Sequence, residues 1–235
     1  MTATTEKTSS QQVSYRLGVD IGGTFTDIVL VGPSGQIMTR KVSSTEDDYA
    51  RGIVTGIRDI LASVDCQSVT VSEIMHGTTV ASNTILQMSG ARTGLITTSG
   101  FRDVLELRTL RMPRLYDLKW EKPPPLVERY LRVEVDERID RDGEIQKPLD
   151  RTDARQAIER LLNEDVEAIA ICLINSYVNP VHEQLILEVM QEMAPDLPCC
   201  ISYNVLPEIK EYERTSTTVI NAYLLPVVAS YLDSL

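Results

Sequence analysis

The apolar positions between Tyr15 and Ser43 fall into three β-rich runs, YRLGVDIG, TDIVLVG and QIMTRKVS, separated by Gly22-Gly23 and by Gly32-Pro33-Ser34-Gly35. Connections this short join antiparallel neighbours, so a three-stranded meander is predicted. The period then changes. Ile53, Ile57, Ile60, Leu61 and Val64 mark one face of a helix, with Ser44 and Thr45 as N-cap candidates and Glu46, Asp47 and Asp48 well placed in its first turn. Beyond it SEIMHG reads as a strand, HGTTVASNTILQM as a helix capped by Thr78 or Thr79, and TGLITT as another strand, a βαβ pattern.

From Arg108 to Arg129 a run of basic residues surrounds Pro123-Pro124-Pro125, a composition that suits an irregular surface excursion. RVEVDERID and EIQ flank Asp142-Gly143 and predict a hairpin. A helix from Thr152 to Asn163 precedes the apolar run VEAIAICLI, which predicts a strand buried on both faces. Asn179-Pro180 reads as the cap and first position of a helix that ends before Pro195. PCCISYN gives one more strand, and Ile209 to Leu235 a long helix. Its band of Val219, Ile220, Tyr223, Leu224, Val227 and Val228 runs on without a polar cap, so a continuation, a partner or self-association is expected to cover it.

With 235 residues, 43% hydrophobic and 24% charged, the chain lies in the globular range. A net charge of −11 provides no basic footprint for nucleic acid or anionic lipid and leaves a small molecule as the default ligand. Cys66, Cys172, Cys199 and Cys200 form no CxxC pair and no disulfide framework, which suits a reducing cytoplasm. The first dozen residues hold no apolar core of a signal peptide and read as a solvated tail. The longest apolar stretch, Ala168 to Ile174, is far below the roughly 18 residues of a membrane span.

The sharpest candidate for chemistry is Gly18-Val19-Asp20-Ile21-Gly22-Gly23-Thr24-Phe25-Thr26-Asp27. It sets a carboxylate at a strand end, two glycines at a turn and two hydroxyls on the returning strand. Glycines let backbone N–H groups approach a polyphosphate, threonine hydroxyls donate to its oxygens, and Asp20 can hold Mg²⁺, usually through water. Neither GxxxxGK[ST] nor GxGxxG before a helix is present. The plain alternative is an ordinary Gly-Gly hairpin, against which Thr26 and Asp27 weigh.

Met75-His76-Gly77-Thr78-Thr79-Val80-Ala81-Ser82-Asn83 forms a strand-to-helix turn that would gather N–H groups, hydroxyls and an imidazole in one cleft. On the residues alone, a hydrogen-bonded turn histidine with Thr78 and Thr79 as caps is the stronger reading. In Glu211-Tyr212-Glu213-Arg214-Thr215-Ser216-Thr217-Thr218, Arg214 could pair with a phosphate or a carboxylate, and a solvated helix start weighs equally. His182 reads as a surface residue in the first turn of a helix, and Cys199-Cys200 as a buried strand pair with no base nearby.

GVDIGGTFTDIVL, followed at a matching distance by HGTTVASNTIL, resembles the N-terminal part of the hydantoinase A / 5-oxoprolinase family, which includes N-methylhydantoinase A-like proteins and acetone and acetophenone carboxylase subunits. The resemblance runs from about Tyr15 to Leu235, and EYERTSTTVINAYLLPVV resembles the start of the family's second region. It implies an α/β fold, an actin-like ATPase (RNase H-like) half with an antiparallel meander, βα units and an inserted loop and hairpin region. The expected division is a disordered tail at 1–14, an RNase H-like domain at 15–205 with an insertion at about 108–150, and a truncated second region at 206–235.

The same resemblance implies ATP and Mg²⁺ as cofactors and a small cyclic amide (hydantoin, 5-oxoproline or lactam) as substrate of a cytoplasmic hydrolase. Asp20, His76, Thr78 and Thr79 would be catalytic, with Asp20 the metal ligand. Gly22, Gly23, Thr24, Thr26, Asp27, Gly77 and Arg214 would bind the nucleotide. A C-terminal half or a hydantoinase B-like subunit would complete the cleft. The alternatives are an ATP-dependent ketone carboxylase subunit, a sugar-kinase-like phosphotransferase, against which the HGTT loop argues, and a non-catalytic regulatory chain.

Overall fold

A computed structural model describes residues 13–45, 49–64, 69–109, 116–117 and 119–234. The expected tail up to residue 12, the Glu46 to Asp48 turn, Cys66 and part of the basic excursion, Arg111 and Arg114 included, lie outside the described residues. Two compact units divide the chain: residues up to Asn83 together with those from Ser230, and Thr84–Ala229.

In the first unit β1 (Val13–Ile21), β2 (Phe25–Val31) and β3 (Ile37–Ser43) form the expected antiparallel meander. After α1 (Tyr49–Ala62), β4 (Val69–Thr78) joins parallel to β1, giving the order β3-β2-β1-β4. Strand alternation sorts the side chains: Tyr15, Leu17, Val19, Ile21, Ile28 and Leu30 are buried, while Gly18, Asp20, Asp27 and Val29 take the opposite face. Gly35, at φ 80°, supplies the left-handed residue of the β2–β3 turn. α1 lies close on the sheet because Gly56 has no Cβ, which would collide with Ile28 Cδ1. The helix ends at Ala62, so Val64 falls in the following turn and outside the predicted helical face.

α2 (Val80–Gln87) leads to β5 (Thr93–Thr98) of the second unit. There follow α3 (Val104–Leu107), β6 (Arg132–Val135), β7 (Arg138–Ile139), β8 (Ile145–Lys147) and α4 (Arg151–Leu162). β9 (Ala168–Cys172), α5 (Val181–Met193), β10 (Cys199–Ile201), α6 (Ser202–Val205) and α7 (Glu211–Ser234) complete the chain. Its sheet, in the order β10-β9-β5-β6, is wholly parallel. β5 and β9 are buried at every position, and the near-continuous apolar run of β9 is what a strand covered on both faces requires.

RVEVDERID does not form one hairpin strand. It breaks at Asp136-Glu137, so that β6 joins the parallel sheet and β7 pairs with β8 across Gly143 at φ 88°. α5 also starts one residue later than predicted: Asn179 Oδ1 accepts from Val181 N at 3.2 Å, leaving Pro180 at the cap.

The surface assignment of His182 is corrected. Its ring is buried, with Nδ1 2.7 Å from Glu137 Oε2 and Nε2 accepting from Leu149 N at 3.3 Å. The break after β6 turns Glu137 inward, where its other oxygen meets the Thr98 hydroxyl. Glu183 beside it accepts from Leu173 N at 2.9 Å, Ser202 Oγ at 2.6 Å and Tyr203 N at 3.0 Å. Of the apolar band on α7, Val219 and Tyr223 are buried, and Ile220, Leu224, Val227 and Val228 are half-buried. No helix among the described residues is long and apolar enough to cross a membrane.

Candidate functional site

At the carboxyl end of β1, the strand partners of Asp20 are Asp27 on β2 and Gly77 on β4. Gly18, Asp20, Asp27, His76 and Gly77 line one open concavity of about 460 Å³. The two carboxylates differ in their surroundings. Asp27 Oδ2 is ion-paired with Lys41 Nζ at 2.9 Å. Asp20 has no hydrogen-bond or ion-pair partner among the described residues. A Cβ on Gly77 would lie 3.3 Å from Asp20 Oδ1, so the glycine keeps the space above that carboxylate open.

The turn after β1 is braced from two sides. Gly22 N donates to Phe25 O at 2.9 Å, and Gly22 O accepts from Ser44 Oγ at 2.8 Å. Ser44 Oγ also lies 3.0 Å from Thr26 Oγ1, and its amide donates to Thr24 O at 2.9 Å. Thr26 is therefore buried inside the hairpin, its hydroxyl engaged with Ser44, while Thr24 is exposed. With the Gly22 amide engaged, the amides of Gly23 and Thr24 are the ones left to an incoming anion.

The second motif meets the first at Ile21. Its carbonyl accepts from Thr79 N at 3.0 Å and Thr79 Oγ1 at 3.2 Å. Asn83 Nδ2 donates to Thr79 Oγ1 at 3.1 Å and stands where a Cβ on Gly23 would be, 2.9 Å away. Thr78 Oγ1 accepts from Val80 N at 3.2 Å and so caps α2. His76 is exposed on β4, with Nε2 hydrogen-bonded to the Tyr231 hydroxyl.

Asp20, Gly22, Gly23, Thr24, Thr26, Asp27, His76, Gly77, Thr78 and Thr79 thus all belong to the first unit, whereas Arg214 belongs to the second. The Arg214 guanidinium is buried, donating to Glu208 O at 3.0 Å and Leu173 O at 2.8 Å, and stacked 5.4 Å over the Tyr177 ring. Those contacts fasten the start of α7 to the end of β9. Burial pushes the Cys199 thiol up and the Cys200 thiol up to about 11, which leaves neither as a ready nucleophile. Two participants escaped the sequence reading. Ser44 registered only as a helix-cap candidate, and Tyr231 carried no local signal at all.

Among the described residues no group of three or more His, Cys, Asp or Glu could hold a metal ion. A Mg²⁺ carried on phosphate oxygens needs only one or two protein carboxylates, and an unpaired Asp20 under a cleared Gly77 fits that requirement.

A meander closed by a parallel strand, with a glycine turn and an aspartate at the strand end, defines the class: an α/β, actin-like ATPase (RNase H-like) half. The nucleotide-free structure of acetone carboxylase superimposes with a TM-score of 0.85 at 29% identity, covering 95% of this chain and 34% of that one. ATP-dependent caprolactamase from Pseudomonas jessenii superimposes with a TM-score of 0.80 at 37% identity, covering 93% and 33%. The profile of the hydantoinase/oxoprolinase N-terminal region matches residues 16–194, and the chain belongs to that family. Caprolactamase subunit alpha of Pseudomonas jessenii is 38% identical over 234 residues, 96% of this chain and 33% of its own length. The chain spans about a third of the length of this relative and of those two solved structures.

Proposed function

We propose that the chain is the nucleotide-handling, N-terminal part of a hydantoinase/oxoprolinase-type enzyme that opens a cyclic amide (a hydantoin, 5-oxoproline or a lactam) after ATP-dependent activation of its carbonyl oxygen. The observation that carries this reading is the unpaired Asp20 carboxylate in its concavity, with Gly77 clearing the space above it and the Gly22-Gly23 turn at the strand's end. ATP with Mg²⁺ supplies the phosphoryl group that turns a poor leaving oxygen into a good one.

The chain's own residues position and neutralise. Asp20 would hold the cation, and the Gly23 and Thr24 amides with the Thr24 hydroxyl would bind the phosphates. Thr26 and Ser44 keep the turn in shape, and Thr79 with Asn83 holds it against the start of α2. His76 lines the same concavity and is assigned to the activated oxygen. Residues 206–235 would begin the family's second region, and a further polypeptide region or partner subunit would supply the substrate's ring-selecting contacts. The free cysteines suit a cytoplasmic setting.

ATP consumption by the native protein with hydantoin, 5-oxoproline and caprolactam, compared with Asp20→Asn, tests the reading. A loss of about 100-fold or more is expected, and wild-type turnover by the variant overturns it. The likeness to acetone carboxylase favours a second reading, an ATP-dependent ketone carboxylase subunit. Product identity separates the two: a ring-opened amino acid or carbamoyl acid for the first, a bicarbonate-dependent keto acid for the second.

A further inference from the structure

His76 and Tyr231 stand 155 positions apart, yet the residues from Ser230 onward belong to the first unit and bring Tyr231 against β4. Tyr231 is 5% exposed, and its hydroxyl meets His76 Nε2. The two rings are stacked, with centroids 5.6 Å apart and planes 29° from parallel. His76 sits on the edge strand of its sheet, where neighbouring residues from Ser72 to Thr79 are all exposed. A side chain in such surroundings ordinarily samples several rotamers. Here the stack and the polar contact together select one.

We propose that Tyr231 is a positioning residue for His76. As the hydrogen-bond donor to Nε2 it holds the ring plane and favours the tautomer protonated at Nδ1. Nδ1, which has no hydrogen-bond partner among the described residues, is then the nitrogen left open to a ligand. The buried phenol is suited to this task because its apolar body packs while its hydroxyl reaches the polar partner. A histidine held in one tautomer presents the same donor or acceptor at every turnover. A loose one presents it for only part of the time, and the loss falls on the chemical step more than on nucleotide binding.

The inference rests on the assignment of His76 to the activated oxygen, so the test has two independent arms. In the native protein, Tyr231→Phe keeps the stacked ring and removes the hydroxyl. The expected result is a fall in kcat of about tenfold with KM for ATP within about twofold of wild type. His76→Ala should cost more, and the double variant no more than His76→Ala alone, because Tyr231 acts through His76. Additive losses, or wild-type kcat in Tyr231→Phe, overturn the proposal. If Asp20→Asn keeps full turnover, the functional reading fails, and the second arm decides the positioning by itself. In ¹⁵N imidazole spectra of the 235-residue chain, His76 should report one tautomer in wild type and a mixture in Tyr231→Phe. A mixture already present in wild type, or an unchanged spectrum in the variant, refutes it without reference to activity.

Discussion

Replacing Gly77 by valine tests whether an unobstructed Asp20 carboxylate is what the site requires. The Cβ alone would sit 3.3 Å from Asp20 Oδ1 and 4.0 Å from Val19 O. The first distance is already inside the roughly 3.5 Å of an ordinary contact, so alanine forces a few tenths of an ångström of adjustment. Valine adds two methyl groups to that carbon, and whichever rotamer it takes, one of them crowds the carboxylate or the space a cation would occupy. A displacement of about 1 Å at a positioned group costs on the order of 100-fold in rate, equivalent to about 2.7 kcal/mol of transition-state stabilisation. The fold has little reason to object. Gly77 is exposed, has no positive φ, and lies on an edge strand where a β-branched residue is favourable. ATP turnover of the native protein should therefore fall about 10-fold in Gly77→Ala and about 100-fold in Gly77→Val, with unfolding midpoints displaced by no more than about 0.5 kcal/mol. Full turnover in Gly77→Val, alongside loss in Asp20→Asn, would show that Asp20 acts without needing the open space, and the geometric argument would be wrong.

His182→Ala leaves the Glu137 carboxylate and the Leu149 N–H in the interior without their partner, and a loss of about 3 kcal/mol should appear in urea unfolding; an unchanged midpoint refutes it. Burial, opposed by bonds from Ser202, Leu173 N and Tyr203 N, raises the Glu183 carboxyl above its ordinary value of 4.5. The native state then holds that proton more tightly than the unfolded chain, so this group's contribution to stability falls as pH rises from about 4.5 through the raised value. Glu183→Gln should flatten that decline above about pH 4.5, and an identical pH profile would show that Glu183 is ionised as readily folded as unfolded. With its thiol pushed up to about 11, Cys200 has on the order of one thiolate in a thousand molecules at pH 8, so the peptide carrying Cys199 and Cys200 should resist alkylation until unfolding; rapid labelling of folded protein contradicts this.

The parts of the molecule that could be read in advance are those whose cause is local. Three β-rich runs with two short glycine turns leave the meander no other arrangement, and the apolar run before Leu173 has no place but a strand covered on both faces. Thr78, offered as a cap, does cap α2 because its short side-chain oxygen reaches an amide two residues on. What escaped depends on distant partners. His182 on a helix face carries no mark of burial until Glu137 is turned toward it by the break after β6. Arg214, a plausible anion ligand in a polar helix start, has its guanidinium engaged by the carbonyls of Leu173 and Glu208 instead.

The site shows the same division. The aspartate and the glycine turn are adjacent in sequence, but the placement of Gly77 opposite Asp20 is a matter of register. Between Tyr15 and Arg16 the pairing of β1 with β4 slips: Tyr15 faces Val71 and Arg16 faces Glu73, with Ser72 as the extra residue and its hydroxyl donating to Tyr15 O at 3.2 Å. Without that bulge every later residue of β4 would move by one position. Asp20 would then lie opposite His76, and each β4 side chain would point to the other face of the sheet. The open space over Asp20, and the position from which His76 meets Tyr231, therefore depend on an irregularity near the opposite end of the strand. HGTT supplies the residue types, and the bulge at Ser72 decides which of them stands beside the carboxylate.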